Sequence, residues 1–178
     1  MPGQSEPWII LPGVEERNAW NRFDREFRFR PSTRLDAPSP FRMRAPHDVY
    51  SVGTTTLMSD DRDLNGVMRG IFVQCMGDDG FMYVLDYQHT CFRYNPRLED
   101  HHTYPVFIED TRFGEVGGYN VYFPKFYPNG DYYFFLAADF RWGYLTHPWL
   151  QRAWVFGRRL RQLFREHADD FGFVAVMG

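Results

Sequence analysis

Six side chains of this 178-residue chain have the chemistry to work together: Asp86, His89, Asp131, Asp139, Arg141 and His147. A histidine titrates close to neutral pH and exchanges a proton with a bound molecule, a carboxylate orients the imidazole, and an arginine holds developing negative charge. Asp86 and His89 lie in one run, YVLDYQHTCFRYNP at 83–96. The others lie in YPNGDYYFFLAADFRWG at 127–143 and in HPW at 147–149. If these runs form neighbouring strands and their turns, the six residues converge at one sheet end. His89 or His147 is then a general base, Asp86 or Asp139 its orienting group, Asp131 a further carboxylate and Arg141 the anion stabiliser. A structural account stands beside this one, because Asp caps turns, a His before Pro caps helices, and Asp139 with Arg141 makes an ordinary ion pair.

Aromatic residues crowd the same segment. They make up 19% of the chain, and Tyr132, Trp142, Tyr144 and Trp149 either wall a binding pocket or fill the core. No cofactor is expected, since the chain lacks a GxGxxG turn and a GxSxG elbow. No metal is expected either, since no HExxH and no metal-spaced cysteine pair occurs. His101 and His102 are adjacent in a polar stretch and read as solvent-exposed. A Cys91/His89 nucleophile pair is conceivable, because residues two apart in a strand share a face. Cys75 falls on an apolar helix face and reads as core.

The elements that position these residues follow from hydrophobic period and turn chemistry. Residues 1–12 read as an extended arm. A first helix over Val14 to Arg28 turns Trp20, Phe23 and Phe27 to one face and pairs Asp24 with Arg28; a Pro-rich connection through Pro46 then crosses the surface. A strand is expected over Val49 to Leu57. A second helix carries Leu64, Val67, Met68, Ile71, Phe72 and Cys75 behind a cap at Ser59 or Asp60. Phe81 to Tyr87 forms a hairpin with Cys91 to Asn95, and 101–120 reads as a long loop. The turn PNGD at 128–131 leads into a strand over Tyr132 to Leu136, buried on both faces. Thr146 then caps a long helix over about Pro148 to Glu166, with Leu150, Ala153, Trp154, Gly157, Leu160 and Phe164 inward. A last strand runs from Phe171 to Met177. The fold class is α+β: one domain over 1–178, mostly antiparallel sheet, with helices packed on one face.

The quoted runs, with VFG at 155–157 and an NAWNRF segment near the N-terminus, resemble the bacterial family catalogued as domain of unknown function 2716 across most of the chain. Tyr87 stands where that family tends to place Trp, and Thr146 where it tends to place Gly before HPW. The resemblance implies a fold and a site location, and no activity.

A net charge of −3 argues against general nucleic-acid binding. No apolar run approaches the ~20 residues that a membrane span needs. Two cysteines and no signal peptide point to a reducing cytoplasm. Arg152, Arg158, Arg159, Arg161 and Arg165 crowd the last helix, and arginines near a helix C-terminus suit its dipole. Two functions remain open. One is a small-molecule binding domain, a cofactor-independent acid/base enzyme of a specialised pathway. The other is a protein–protein module, an immunity or regulatory partner, that uses the Arg-rich helix.

Overall fold

The computed structural model describes residues 6–53, 61–98, 106–110, 117–128 and 130–177. The expected cap at Ser59 or Asp60, the strand end at Leu57, the side chain of Leu64, His101 with His102, and Asn129 lie outside the described residues. In chain order the elements are β1 (Trp8–Ile10), α1 (Gly13–Phe27), β2 (His47–Val52), α2 (Asp61–Met76), β3 (Met82–Asp86), β4 (Phe92–Tyr94), β5 (Val106–Asp110), β6 (Gly117–Val121), β7 (Tyr133–Ala137), β8 (Gly143–His147), β9 (Arg152–Phe156), α3 (Arg158–Phe171) and β10 (Phe173–Ala175). Eight strands form one antiparallel sheet in the order β1-β4-β3-β7-β8-β9-β2-β10. The fold is α+β with a single open sheet, as the sequence implies. Among the described residues no helix is long and apolar enough to cross a membrane.

Both faces of the sheet are covered. Alternate residues point to opposite sides of a strand, so Val84, Phe135, Ala137, Tyr144, Ala153 and Val155 meet α2 and α3. Their neighbours Leu85, Phe134, Leu136, Leu145, Trp154 and Phe156 meet Phe23 and Phe27 of α1. The helices therefore divide between the faces, two on one and α1 on the other. Ring stacking fixes the docking of α1 and α2: the Phe23 ring lies 4.4 Å from that of Phe134, and the Phe72 ring 5.6 Å from that of Phe135. Glu15 also ties α1 to the sheet by binding the guanidinium of Arg93 and accepting the Tyr83 hydroxyl at 3.0 Å. The expected Asp24–Arg28 pair does not form. Arg28 caps α1 in the left-handed region, φ 50°, and the i,i+4 pair is Arg22 with Glu26 at 2.7 Å.

Several elements differ from expectation, each because a tertiary partner overrides the local pattern. The arm pairs through β1 with β4. The connection after α1 is not confined to the surface, since Phe29 and Phe41 are buried and stack at 5.6 Å. Within the expected 101–120 loop, β5 and β6 form a two-stranded antiparallel sheet. The strand after PNGD pairs with β3 and β8, and not in a hairpin with the segment just before the turn, although Gly130 has the positive φ expected, 86°.

The largest difference concerns the long helix over 148–166. HPW ends β8 and turns into β9, and a helix begins only at Arg158. Thr146 caps nothing: its Oγ1 donates to the Tyr133 carbonyl at 3.0 Å and accepts the Tyr133 N–H at 3.1 Å, inside the sheet. Leu150, Ala153, Trp154 and Gly157 imitate a helical stripe. Because both faces are covered, Ala153 to Phe156 are buried in succession and the strand's period of two disappears. Gly157 supplies the break between β9 and α3 at φ 93°, where a Cβ would lie 2.3 Å from Trp142 Cβ. Gly157→Ala should therefore cost about 2–4 kcal/mol in urea unfolding, from left-handed strain and the clash together.

Candidate functional site

At the end of β3 and the entry to β7, three side chains meet. The ladder sets Asp86 opposite Tyr133, which brings Asp131 beside Asp86. His89, in the β3–β4 turn, sits over both: its Nδ1 lies 3.0 Å from Asp86 Oδ1 and 3.2 Å from Asp131 Oδ2. The backbone N–H of Gln88 donates to the same two carboxylates at 3.3 and 3.1 Å. That of Tyr132 donates to Asp131 Oδ1 at 2.7 Å. Asp86 and Asp131 are only 5% and 6% exposed, whereas the His89 side chain is 66% exposed. Its Nδ1 is held inward and its Nε2 is turned away from the carboxylates.

The electrostatics follow from two adjacent buried acids. Burial first, and then the hydrogen bond with Asp131, push the Asp86 carboxyl up to about 7. Partial burial disfavours the His89 imidazolium, but the hydrogen bonds and charges of Asp86 and Asp131 outweigh it and raise the pKa above the ordinary value. The cluster thus holds protons near neutrality. One ligand atom from each of Asp86, His89 and Asp131 lies within 4.8 Å of the others, so these residues could hold a cation where the protons now sit.

The other sequence candidates stand elsewhere. Asp139 and Arg141 pair at 3.0 Å, with Arg141 also bound to Asp79 at 2.6 Å. They occupy the opposite end of β7 and β8, so Asp139 does not orient either histidine. The N–H and guanidinium of Arg141 outweigh modest burial and hold Asp139 below the usual carboxylate range.

His147 is at the correct end but is 2% exposed. Its Nδ1 accepts the Leu150 N–H at 3.3 Å, which leaves the proton on Nε2, 3.2 Å from the Tyr132 hydroxyl oxygen. That hydroxyl donates to the Ser32 carbonyl at 2.8 Å and accepts the Ser32 N–H at 3.0 Å. Burial, aided by the charge of Arg152, lowers His147 to about 4. It is a neutral strut that clamps the connection after α1 onto the sheet.

The four aromatic candidates do not share one space. Trp142 and Tyr144 are buried on the α2/α3 face, the latter donating to the Phe126 carbonyl at 2.7 Å, while Tyr132 is buried on the α1 face. Trp149 lies in the β8–β9 turn, 48% exposed. Alternation along the strands explains the separation, because 132 and 134 face one way and 142 and 144 the other. Nor do Cys91 and His89 pair. The Cys91 thiol is buried, donates to the Asp86 carbonyl at 3.6 Å, and is pushed by burial up to about 12. Sequence reading missed Gln88 and Ser32, which act through backbone groups and leave no mark in residue type.

Two expectations separate the roles. His147→Ala should lower stability by about 2–4 kcal/mol in urea unfolding, through the cavity and the unpaired groups it leaves. For Asp86 the folded pKa of about 7 stands above the unfolded value, so the folded state holds the extra proton between about pH 4 and 7. That stabilisation is complete below pH 4 and lost as pH rises to 7. The difference in unfolding free energy between the wild type and Asp86→Asn, measured by denaturant titration, should fall over this window.

No solved structure matches this chain. The curated uncharacterized protein YxiI of Bacillus subtilis strain 168 is 29% identical over 163 residues, covering 86% of this chain and 89% of that one. A family model described as protein of unknown function (DUF2716) matches residues 11–161, and therefore includes β3, the β3–β4 turn and the approach to β7 that carry Asp86, His89 and Asp131. The chain belongs to the DUF2716 family.

Proposed function

We propose that the Asp86–His89–Asp131 cluster is an acid/base centre acting on a small organic molecule at the sheet end, with no cofactor. The observation that carries this reading is the posture of His89, anchored through Nδ1 to two buried carboxylates with Nε2 directed outward. Near neutral pH the imidazolium gives its Nε2 proton to a bound oxygen or carbon and takes it back in the reverse step. Asp86 and Asp131 hold Nδ1–H throughout and stabilise the charged form. Tyr87, two residues before His89, is 41% exposed and 6.1 Å from the Tyr132 ring, and offers an aromatic surface at the same sheet end for an apolar portion of the ligand. Two free, buried cysteines support a reducing, cytoplasmic setting.

The test is an NMR titration of the His89 ring combined with a screen of small carbonyl and enol compounds. His89 should titrate above the ordinary value, Asp131→Asn should lower it, and a ligand that shifts its ring resonances should lose binding or proton exchange by at least tenfold in His89→Ala. A His89 that titrates near 6.5 in both proteins, with no compound perturbing it, would exclude the reading.

A further inference from the structure

The charge order along α3 runs against its own dipole. Helix N-termini favour acids and C-termini favour bases, yet the first turn of α3 holds no acid and the last turn no base. Arg158, Arg159, Arg161 and Arg165 occupy its first eight positions, while Asp169 and Asp170 stand near its end. The sequence-based account of these arginines, that they suit a C-terminus, fails because the helix starts ten residues later than expected. Helix stability therefore does not explain them.

Three of them, Arg158, Arg161 and Arg165, border an open groove of ≈ 580 Å³, lined also by Pro46, Gly157, Gln162 and Glu166. A single carboxylate, Asp48, serves two of the arginines: Arg161 at 2.9 Å, and Arg165 in a fork at 2.9 and 3.0 Å. Among the described residues Arg159 binds the neutral amides of Gln74 and Gln162, at 2.8 and 3.1 Å. The Arg158 guanidinium is exposed and makes no ion pair or hydrogen bond among the described residues. Arg161 also keeps a buried Nε without a partner at this groove. Three arginines at the groove against Asp48 and Glu166 make a local positive surface on a chain whose net charge is −3.

We propose that this groove binds an extended acidic segment of a protein partner. Positions 158, 161, 162 and 165 form one helical stripe, and its ends are about 10 Å apart at 1.5 Å per residue. The donors make a row along the groove, longer than one phosphate can bridge. An extended chain places same-side carboxylates about 7 Å apart, which matches such a row. Asp48 supplies the local precedent, a carboxylate held by the forked donors of Arg165. Glu166 and Asp48 would repel a dense polyanion, whereas a segment that alternates acidic and apolar residues can avoid them and lay apolar groups on Pro46.

The test is fluorescence anisotropy with a dye-labelled octapeptide of alternating glutamate and alanine, at low and moderate salt, on the full chain. Wild type should bind, with affinity that falls as salt rises. Arg158→Glu should weaken binding at least tenfold while raising the thermal midpoint by about 1–3 °C, because an acid in the first turn suits the dipole. Arg158→Gln should lose binding to a smaller extent, and His89→Ala should bind as wild type does. The proposal is overturned if the peptide does not bind at millimolar concentration, or if Arg158→Glu binds it unchanged. It is equally overturned if inorganic phosphate displaces the peptide at equal concentration, which would mark a compact anion site.

Discussion

The pairing of β3 with β7 is the constraint on which the site depends. Its register sets Asp86 against Tyr133 and Met82 against Ala137, and a slip of one residue would exchange the two faces of β7 between the two cores. Such a slip would send Phe134, which meets Phe23 and Phe41, to the side of α2, and Phe135 to the side of α1. Packing on both faces fixes the register, and the register brings the two carboxylates together. The acids are tolerated there because the N–H groups of Gln88 and Tyr132 and the ring of His89 satisfy them, and because Asp86 retains a proton up to about pH 7.

The sheet ends have separate duties. At one, Asp86 and His89 hold protons close to solvent beside Asp131, and His147 with Tyr132 and Ser32 closes the neighbouring turn in a neutral hydrogen-bond chain. At the other, Arg141 joins Asp79 and Asp139 in an ion-pair network, and also reaches the Met76 carbonyl at 3.2 Å at the end of α2. Two histidines at this end thus differ through their surroundings: His89 is raised by contact with buried acids, and His147 is lowered by enclosure, aided by the charge of Arg152. The arginines of α3 belong to a third region, on the outer side of a helix, and share no residue with the proton-holding cluster.

Much of this was legible in the residues. The hydrophobic spacing of 67–75 specifies α2, the stripe Phe23–Phe27 specifies α1, and the run YVLDYQHTCFRY specifies the β3–β4 hairpin that carries His89. The nearness of Asp86, His89 and Asp131 follows from placing the two aromatic-rich runs on adjacent strands. Residue type alone could not divide the histidines, since the neutral state of His147 depends on the Leu150 N–H and the Tyr132 hydroxyl, and the latter depends on backbone groups of Ser32, one hundred residues before it.

What the sequence by itself determined is the class of fold, the family, and the two segments from which the site is drawn, because local period, turn residues and aromatic density act over short stretches of chain. Tertiary structure alone decided the faces and the ends. Covering both sides of the sheet buries consecutive residues, which erased the period of β9 and lent 148–157 the look of a helix. Strand alternation separated Tyr132 from Trp142 and Tyr144, and strand length carried Asp139 and Arg141 away from the histidines. The late start of α3 placed its arginines at the positive end of the helix, where the chain's own dipole opposes them.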